Sequence, residues 1–231
     1  MATDARALLR LQSWLSPGFP VGAYSYSHGL EYAVEAGFVR SGEQLVDWLD
    51  ADLRYGAGWC DGVIFVVGYG AAGRDDQAGL ADLAELAAAR LGTRELALES
   101  LAQGRAFLRA LAAAWPHRQL SAHAERLARA DLPVVYPLAV ALACAAHAVS
   151  LEAATQLFLQ ATTANLVNAG VRLIPLGQSD GQRVVAALEP AVLAVAEAAL
   201  VSTADDLGTA AVMVGWASMQ HETQYTRLFR S

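Results

Sequence analysis

The chain has no lysine: all 16 of its basic residues are arginine. This removes the phosphate-binding lysine of a P-loop, any Schiff-base lysine and any lysine general base, so neither a P-loop NTPase nor a pyridoxal-phosphate enzyme is possible. Cysteine is almost as scarce. Cys60 and Cys144 lie far apart, and neither belongs to a C-x-x-C pair. Two cysteines make no disulfide framework, and reduced thiols in a cytosolic protein are expected. Charge is sparse too, at 17% of residues with a net value of −7. No basic cluster interrupts that balance, which argues against nucleic acid and against an anionic membrane surface. The longest uncharged run, Leu132 to Ser150, carries Pro133, Pro137 and His147 and is rich in alanine. It reads as a buried core helix and not as a membrane span. The first residues, MATDARALLRLQ, contain arginines and an aspartate but no apolar signal core, so no secretion signal is expected.

Apolar residues make up 55% of the 231-residue chain, with alanine well above average usage. Their spacing is helical. Leu8, Leu11 and Leu15 recur on one face, as do Leu45, Trp48, Leu49 and Leu53, and again Val184, Leu188, Val192, Val195 and Ala199. Ser41-Gly-Glu-Gln44 and Ser179-Asp-Gly-Gln182 have the form of capping boxes, and Ser150 is a further N-cap candidate. Pro190 is expected to kink or split the helix that starts near Asp180. Ser16 to Gly22, Gly73 to Asp76, Pro116 and Pro175-Leu-Gly177 mark the breaks. One all-α domain over residues 1–231, compact and built of about eight to ten helices, is the expected architecture, with a distinct C-terminal tail at about 219–231.

Several motifs invite a catalytic reading. Gly68-Tyr-Gly70-Ala-Ala-Gly73 fits the dinucleotide fingerprint and follows the strand-like run Val63 to Val67. A Rossmann-like nucleotide-binding oxidoreductase is therefore the alternative to carry forward. Against it, Asp75 and Asp76 would repel a pyrophosphate, and Thr93 to Leu111 is helical in pattern where the second strand should be. Cys144 and His147 share a helical face at a workable metal-ligand spacing, but they sit among Ala, Leu and Val, so a buried thiol and a hydrogen-bonded core histidine are expected. His117 and His123 are poorly spaced for shared ligation. His221-Glu222 is not H-E-x-x-H, because position 225 is tyrosine. Ser25, Ser27 and His28 lack a nucleophile elbow, and local hydroxyl capping of a helix from Gly29 to Ala36 explains the serines.

Four segments carry more polar detail than packing requires. They are Ser16 to Glu31, Arg94 to Ser100 with Gly104, Asn165 to Arg183, and His221 to Ser231. The last places Leu228 and Phe229 between Arg227 and Arg230. An apolar pair in such a setting either docks on its own domain or waits for a partner, and the arginines can pair with carboxylates or carbonyls.

Together these segments resemble the urease accessory protein F family (UreF). The carriers are FPVGAYSYSHGLE at 19–31, RELALES with Gly104 at 94–104, NLVNAGVRLIPLGQSDGQR at 165–183 and MQHETQYTRLFRS at 219–231. The resemblance implies an all-α, dimeric, cytoplasmic scaffold with no reaction, cofactor or resident metal of its own. Such a scaffold joins a UreD-type protein (UreH in some species) to the nickel-carrying GTPase UreG, and the assembly inserts nickel into the urease apoprotein on GTP hydrolysis. It further implies that Tyr225, Arg227, Leu228, Phe229 and Arg230, led by His221 and Glu222, form a tail that orders on the UreD-type partner. Tyr24, Ser25, Tyr26, His28 and Glu31 would belong to a surface near the dimer axis that faces the GTPase. Glu95, Glu99, Gln178, Asp180, Gln182 and Arg183 are motif positions open to either a structural or a contact role. Within that set Asp180 or Ser179 is a helix-cap candidate, and Arg183 an ion-pair candidate.

Overall fold

The computed structural model describes residues 4–231; Met1 to Thr3, the start of the segment read for a secretion signal, lie outside the described residues. Among the described residues there is no strand. Eleven α-helices follow one another: α1 (Ala5–Trp14), α2 (Leu30–Glu35), α3 (Gly42–Tyr55), α4 (Ala57–Gly73), α5 (Gln77–Ala89), α6 (Arg94–Ala114), α7 (Arg118–Arg129), α8 (Tyr136–Ala146), α9 (Leu151–Leu173), α10 (Gln178–Leu200) and α11 (Val212–His221). Short 3-10 turns occur at Ala23–Ser25 and Ala204–Asp206. Ten of these helices have ten or more residues, the upper end of the expected number; the extra element is the six-residue α2.

Helices α4 and α8 are apolar on every side and are therefore buried on every side. The strand-like run Val63 to Val67 lies inside α4: β-branched preference yields to burial against α8 and α9. With no strand before it, the Gly68-x-Gly-x-x-Gly73 pattern lacks the turn that a dinucleotide site needs. Gly68 instead lets α4 approach α8, since a Cβ there would lie 2.7 Å from Leu138 Cδ1. Phe65 stacks on Phe158 of α9 at 5.1 Å and joins α4 to that helix. Each such fully buried side chain contributes roughly 1.5–3 kcal/mol. The run from Leu132 to Ser150 forms buried α8, and no helix among the described residues is long and apolar enough to cross a membrane.

The helix starts differ in detail from expectation. Ser41 does accept from the Gln44 amide, while the Gln44 side chain accepts from Arg40 N, one residue further back than a capping box places it. Ser179 is no cap. Helix α10 begins at Gln178, and Asp180 Oδ2 accepts from the Gly177 amide at 2.9 Å. Ser150 precedes α9 but makes no side-chain capping bond. Pro190 does not split α10, which continues to Leu200. Pro190 and Ala186 both face solvent, so water can serve the carbonyl that the proline leaves without a donor.

Cys60 and Cys144 are free and buried. Burial, with Asp61, lifts the Cys60 thiol to about 11, and burial alone pushes Cys144 higher still. His147 caps α8 and accepts from Arg10 at 2.7 Å rather than pairing with Cys144. Burial first, then Arg10 and His117, depress its imidazole to about 4.

Candidate functional site

The tail, the loop before α2 and the start of α6 meet in one network. Glu31 lies in the first turn of α2 and is only 8% exposed. Its carboxylate accepts from the amides of Leu228 (2.6 Å) and Phe229 (2.8 Å) and from His221 Nε2 (3.2 Å). His221 is completely buried at the end of α11, and its Nδ1 contacts Glu95 Oε2 at 2.6 Å. The other Glu95 oxygen takes Arg227 Nη1 at 2.6 Å. Glu222 accepts from the Arg94 amide at 2.7 Å. Three segments far apart in sequence thus share a ring of charge-assisted bonds, the stronger class of hydrogen bond.

Beyond this ring the tail runs beside the loop. Arg230 N donates to Ser25 O at 2.8 Å, and Ser27 N donates to Ser231 O at 2.7 Å. Phe229 is 3% exposed, with the Arg172 guanidinium 4.2 Å from its ring centre. Arg172 also donates to Tyr24 O at 2.5 Å, and Asn165 donates to Ala23 O at 2.9 Å. The Asn165–Arg183 motif therefore acts through Asn165 and Arg172, which brace the loop and the tail. Gln178, Asp180, Gln182 and Arg183 do not reach this network. Asp180 pairs with Arg183 on the exposed start of α10, and the Gly177 amide, with Arg183, lowers its carboxyl below the usual range.

The candidate residues fall into two sets. Glu31, Glu95, Glu99, His221, Phe229 and Tyr26 are inside, or nearly so, and hold the tail and loop in place. Tyr24, Tyr225, Leu228 and Arg230 face out. Helix α11 adds to the open surface. It is apolar around its circumference, yet Val212, Met213, Trp216 and Met219 are exposed along one side, with Phe38 packed 6.0 Å from Trp216. An apolar face of this kind beside a tail is the usual mark of a protein contact.

A second buried cluster lies behind the loop. His28 Nε2 donates to Glu99 Oε1 at 3.0 Å, and Glu99 also accepts from Gln103 and from Ser231 Oγ. Burial opposes charge on His28, but Glu99, with Asp52 and Asp61, prevails and lifts its imidazole to about 9. Burial raises Asp61 to about 7; Asp52 and Glu99 reinforce this and His28 opposes it. His28 and Asp61 line two cavities of about 190 Å³ and 180 Å³. Among the described residues no group of three or more His, Cys, Asp or Glu is placed to hold a metal ion.

The two groups titrate in the same sense. Between about 4 and 7 folded Asp61 keeps a proton that the unfolded chain has released, so stability falls as pH rises through that window. Between 6.5 and about 9 the same holds for His28. Asp61→Asn is expected to stabilise the protein at pH 8 by roughly 1–3 kcal/mol and to have little effect near pH 4. Urea denaturation at the two pH values checks this.

The UreF family model matches residues 39–189. A urease accessory protein UreF of Rhodopseudomonas palustris strain TIE-1 is 52% identical over 230 residues, covering 100% of this chain and 95% of its own. One from Bradyrhizobium diazoefficiens is 49% identical over 230 residues, with coverage of 100% and 94%. The chain belongs to the UreF family. All four segments that carried the resemblance reach the tail or its loop: 19–31, 94–104 and 219–231 through the ring of charge-assisted bonds, and 165–183 through Asn165 and Arg172. Sequence reasoning did not single out Asp52, Asp61 or Arg172, and it read Ser27 only as a local hydroxyl cap. Ser27 and Arg172 lay within quoted motifs, and only the fold shows their partners.

Proposed function

We propose that this UreF-family chain is a non-catalytic adaptor in urease maturation. It joins a UreD-type protein to a UreG-type GTPase, so that GTP hydrolysis can drive nickel insertion into the urease apoprotein. The adaptor works in the cytoplasm as a homodimer, and the exposed Leu8 and Leu9 of α1 supply apolar surface for association. The observation that carries the reading is the tail. Buried ion pairs fix its backbone, while Leu228 and Tyr225 remain exposed in the segment that follows α11. With Phe229 inward and Leu228 and Tyr225 outward, the segment presents two apolar side chains for contact. Tyr24, held by its carbonyl to Arg172, offers a second exposed aromatic on the loop assigned to the GTPase.

The two surfaces separate by mutation. Leu228→Asp should leave the circular dichroism spectrum unchanged and weaken co-purification with a UreD-type protein by about tenfold or more. Tyr24→Ala should spare that contact and impair recruitment of the GTPase to the assembled pair. Wild-type capture by both variants would overturn the assignment of the two surfaces.

A further inference from the structure

Helix α6 packs through one side on α8 and leaves the opposite side open. Arg94, Leu98, Arg105 and Arg109 follow one another there at helical spacing, and all four are exposed, Leu98 at 57%. The acids of the helix, Glu95 and Glu99, are turned inward, so this face carries arginines and no carboxylate. The arginine ion pairs among the described residues are made by Arg54, Arg126, Arg129, Arg183 and Arg227, and by none of the arginines on this face. The helix does not gain from them either. Arg94 is its first residue, where the positive end of the helix dipole disfavours a cation. Arg105 and Arg109 are like charges one turn apart, which weakens a helix. On a chain with a net charge of −7, a one-sign stripe that serves neither packing nor helix stability has the form of a contact surface.

We propose that the outward face of α6 docks an acidic protein segment, whose carboxylates meet Arg94, Arg105 and Arg109 and whose apolar part covers Leu98. Along the axis the arginines span about 22 Å, with about 6 Å between Arg105 and Arg109 and about 16 Å between Arg94 and Arg105. A partner helix of about four turns matches that length. Guanidinium groups read carboxylates by paired, charge-assisted bonds, and Leu98 supplies an apolar anchor between them. Nucleic acid fits less well, since these arginines neutralise fewer phosphates than the roughly six to ten that give strong binding. An anionic bilayer fits less well too, because polybasic lipid sites gather roughly four to eight cations. No run in the sequence shows the stripe, because Arg94 and Arg105 lie about three turns apart. The stripe adds a contact surface to the adaptor reading and rests on that reading for the proteins used as probes.

The test is the association rate of the full chain with a purified UreD-type protein, a UreG-type GTPase and a urease apoprotein, at low and at physiological ionic strength. Charge reversal by Arg105→Glu with Arg109→Glu should slow association with one of these proteins by about tenfold or more at low salt. It should also flatten the salt dependence of that rate, as expected where exposed charges steer an encounter. Arg105→Lys with Arg109→Lys keeps the charge and should retain most of the rate. Both double variants should keep the wild-type circular dichroism spectrum, because the substituted side chains face solvent. Equal rates for wild type and the glutamate variant, with every protein that the wild type binds, would overturn the inference and leave the adaptor reading standing. A wild type that binds none of these proteins would remove both. Charge-dependent binding to poly(U) RNA or to phosphatidylserine–phosphatidylcholine vesicles would also overturn it, since the stripe would then serve a phosphate surface. So would loss of the homodimer in light scattering of the glutamate variant, which would make the stripe an interface between copies of the chain.

Discussion

Removal of residues 227–231 is expected to abolish capture of a UreD-type protein while leaving helices α1 to α10 folded. The five residues contribute one buried aromatic side chain, Phe229, worth roughly 1.5–3 kcal/mol. They also contribute the bonds to Glu31, Glu95, Glu99, Ser25 and Ser27. Those carboxylates would not become orphans, because removal of the tail opens them to water, and rehydration offsets most of the lost bonds. A net loss of about 2–4 kcal/mol lowers the melting temperature of a chain this size by roughly 4–16 °C. The helical core continues without the tail, since α4, α8 and α9 pack on one another, and the contact α9 gives up is that of Arg172 over the Phe229 ring. Circular dichroism should therefore show a near-native helical spectrum, and a pull-down should show no partner. A truncated chain that still captured the partner would place the contact elsewhere. Collapse of the helical signal would make the tail part of the core.

The core was legible in the sequence because its signals are local. Leu45, Trp48, Leu49 and Leu53 fall on one face of α3 just after Ser41, and the periodicity and the cap agree. Leu132 to Ser150 announced α8 by its composition. The failures were also local, and each had a competitor. Ser179 looked like a cap, but Asp180 bonds back to the Gly177 amide and starts α10 earlier. Pro190 looked like a break, but it falls on the solvent side of a long helix whose other face is fixed by packing. The site is different in kind. His221 and Glu31 are separated by 190 positions, and no periodicity connects them. The motifs marked those residues as unusual without saying which would be inside. That His221, Glu31 and Glu95 bond one another, while Tyr225 and Leu228 stay out, is decided by where α11 comes to rest on α2.

That resting place can be tested with one methyl group. Gly29→Ala is expected to lift α11 from its seat, free the tail and abolish partner capture in a protein whose remaining helices stay folded. Gly29 has φ of 78°, in the left-handed region that glycine alone occupies at no cost, and it follows His28, itself at φ 54°. A Cβ at Gly29 would run into the backbone amide of Ser218, and would stand 2.6 Å from Ser218 Cα and 2.8 Å from the Ala217 carbonyl carbon. These are main-chain atoms of α11, so no rotamer change relieves the clash. Left-handed strain adds about 1 kcal/mol, and overpacking against backbone typically adds 1–3 kcal/mol. The cheapest relief is movement of α11, because its main packing partner is the short helix α2. That movement breaks the Thr93–Ser218 hydroxyl bond at 2.9 Å and draws His221 away from Glu31 and Glu95. Trypsin should then release the tail peptide at least about tenfold faster than from the wild type, and fluorescence of Trp216, which sits 5.4 Å from Tyr32, should shift as its packing is lost. Gly37, also at positive φ, would meet only the flexible end of Arg40, so Gly37→Ala serves as the control for left-handed strain alone. If Gly29→Ala and Gly37→Ala gave the same tail protection and the same partner capture, the close approach of α11 to Gly29 would have no part in holding the tail.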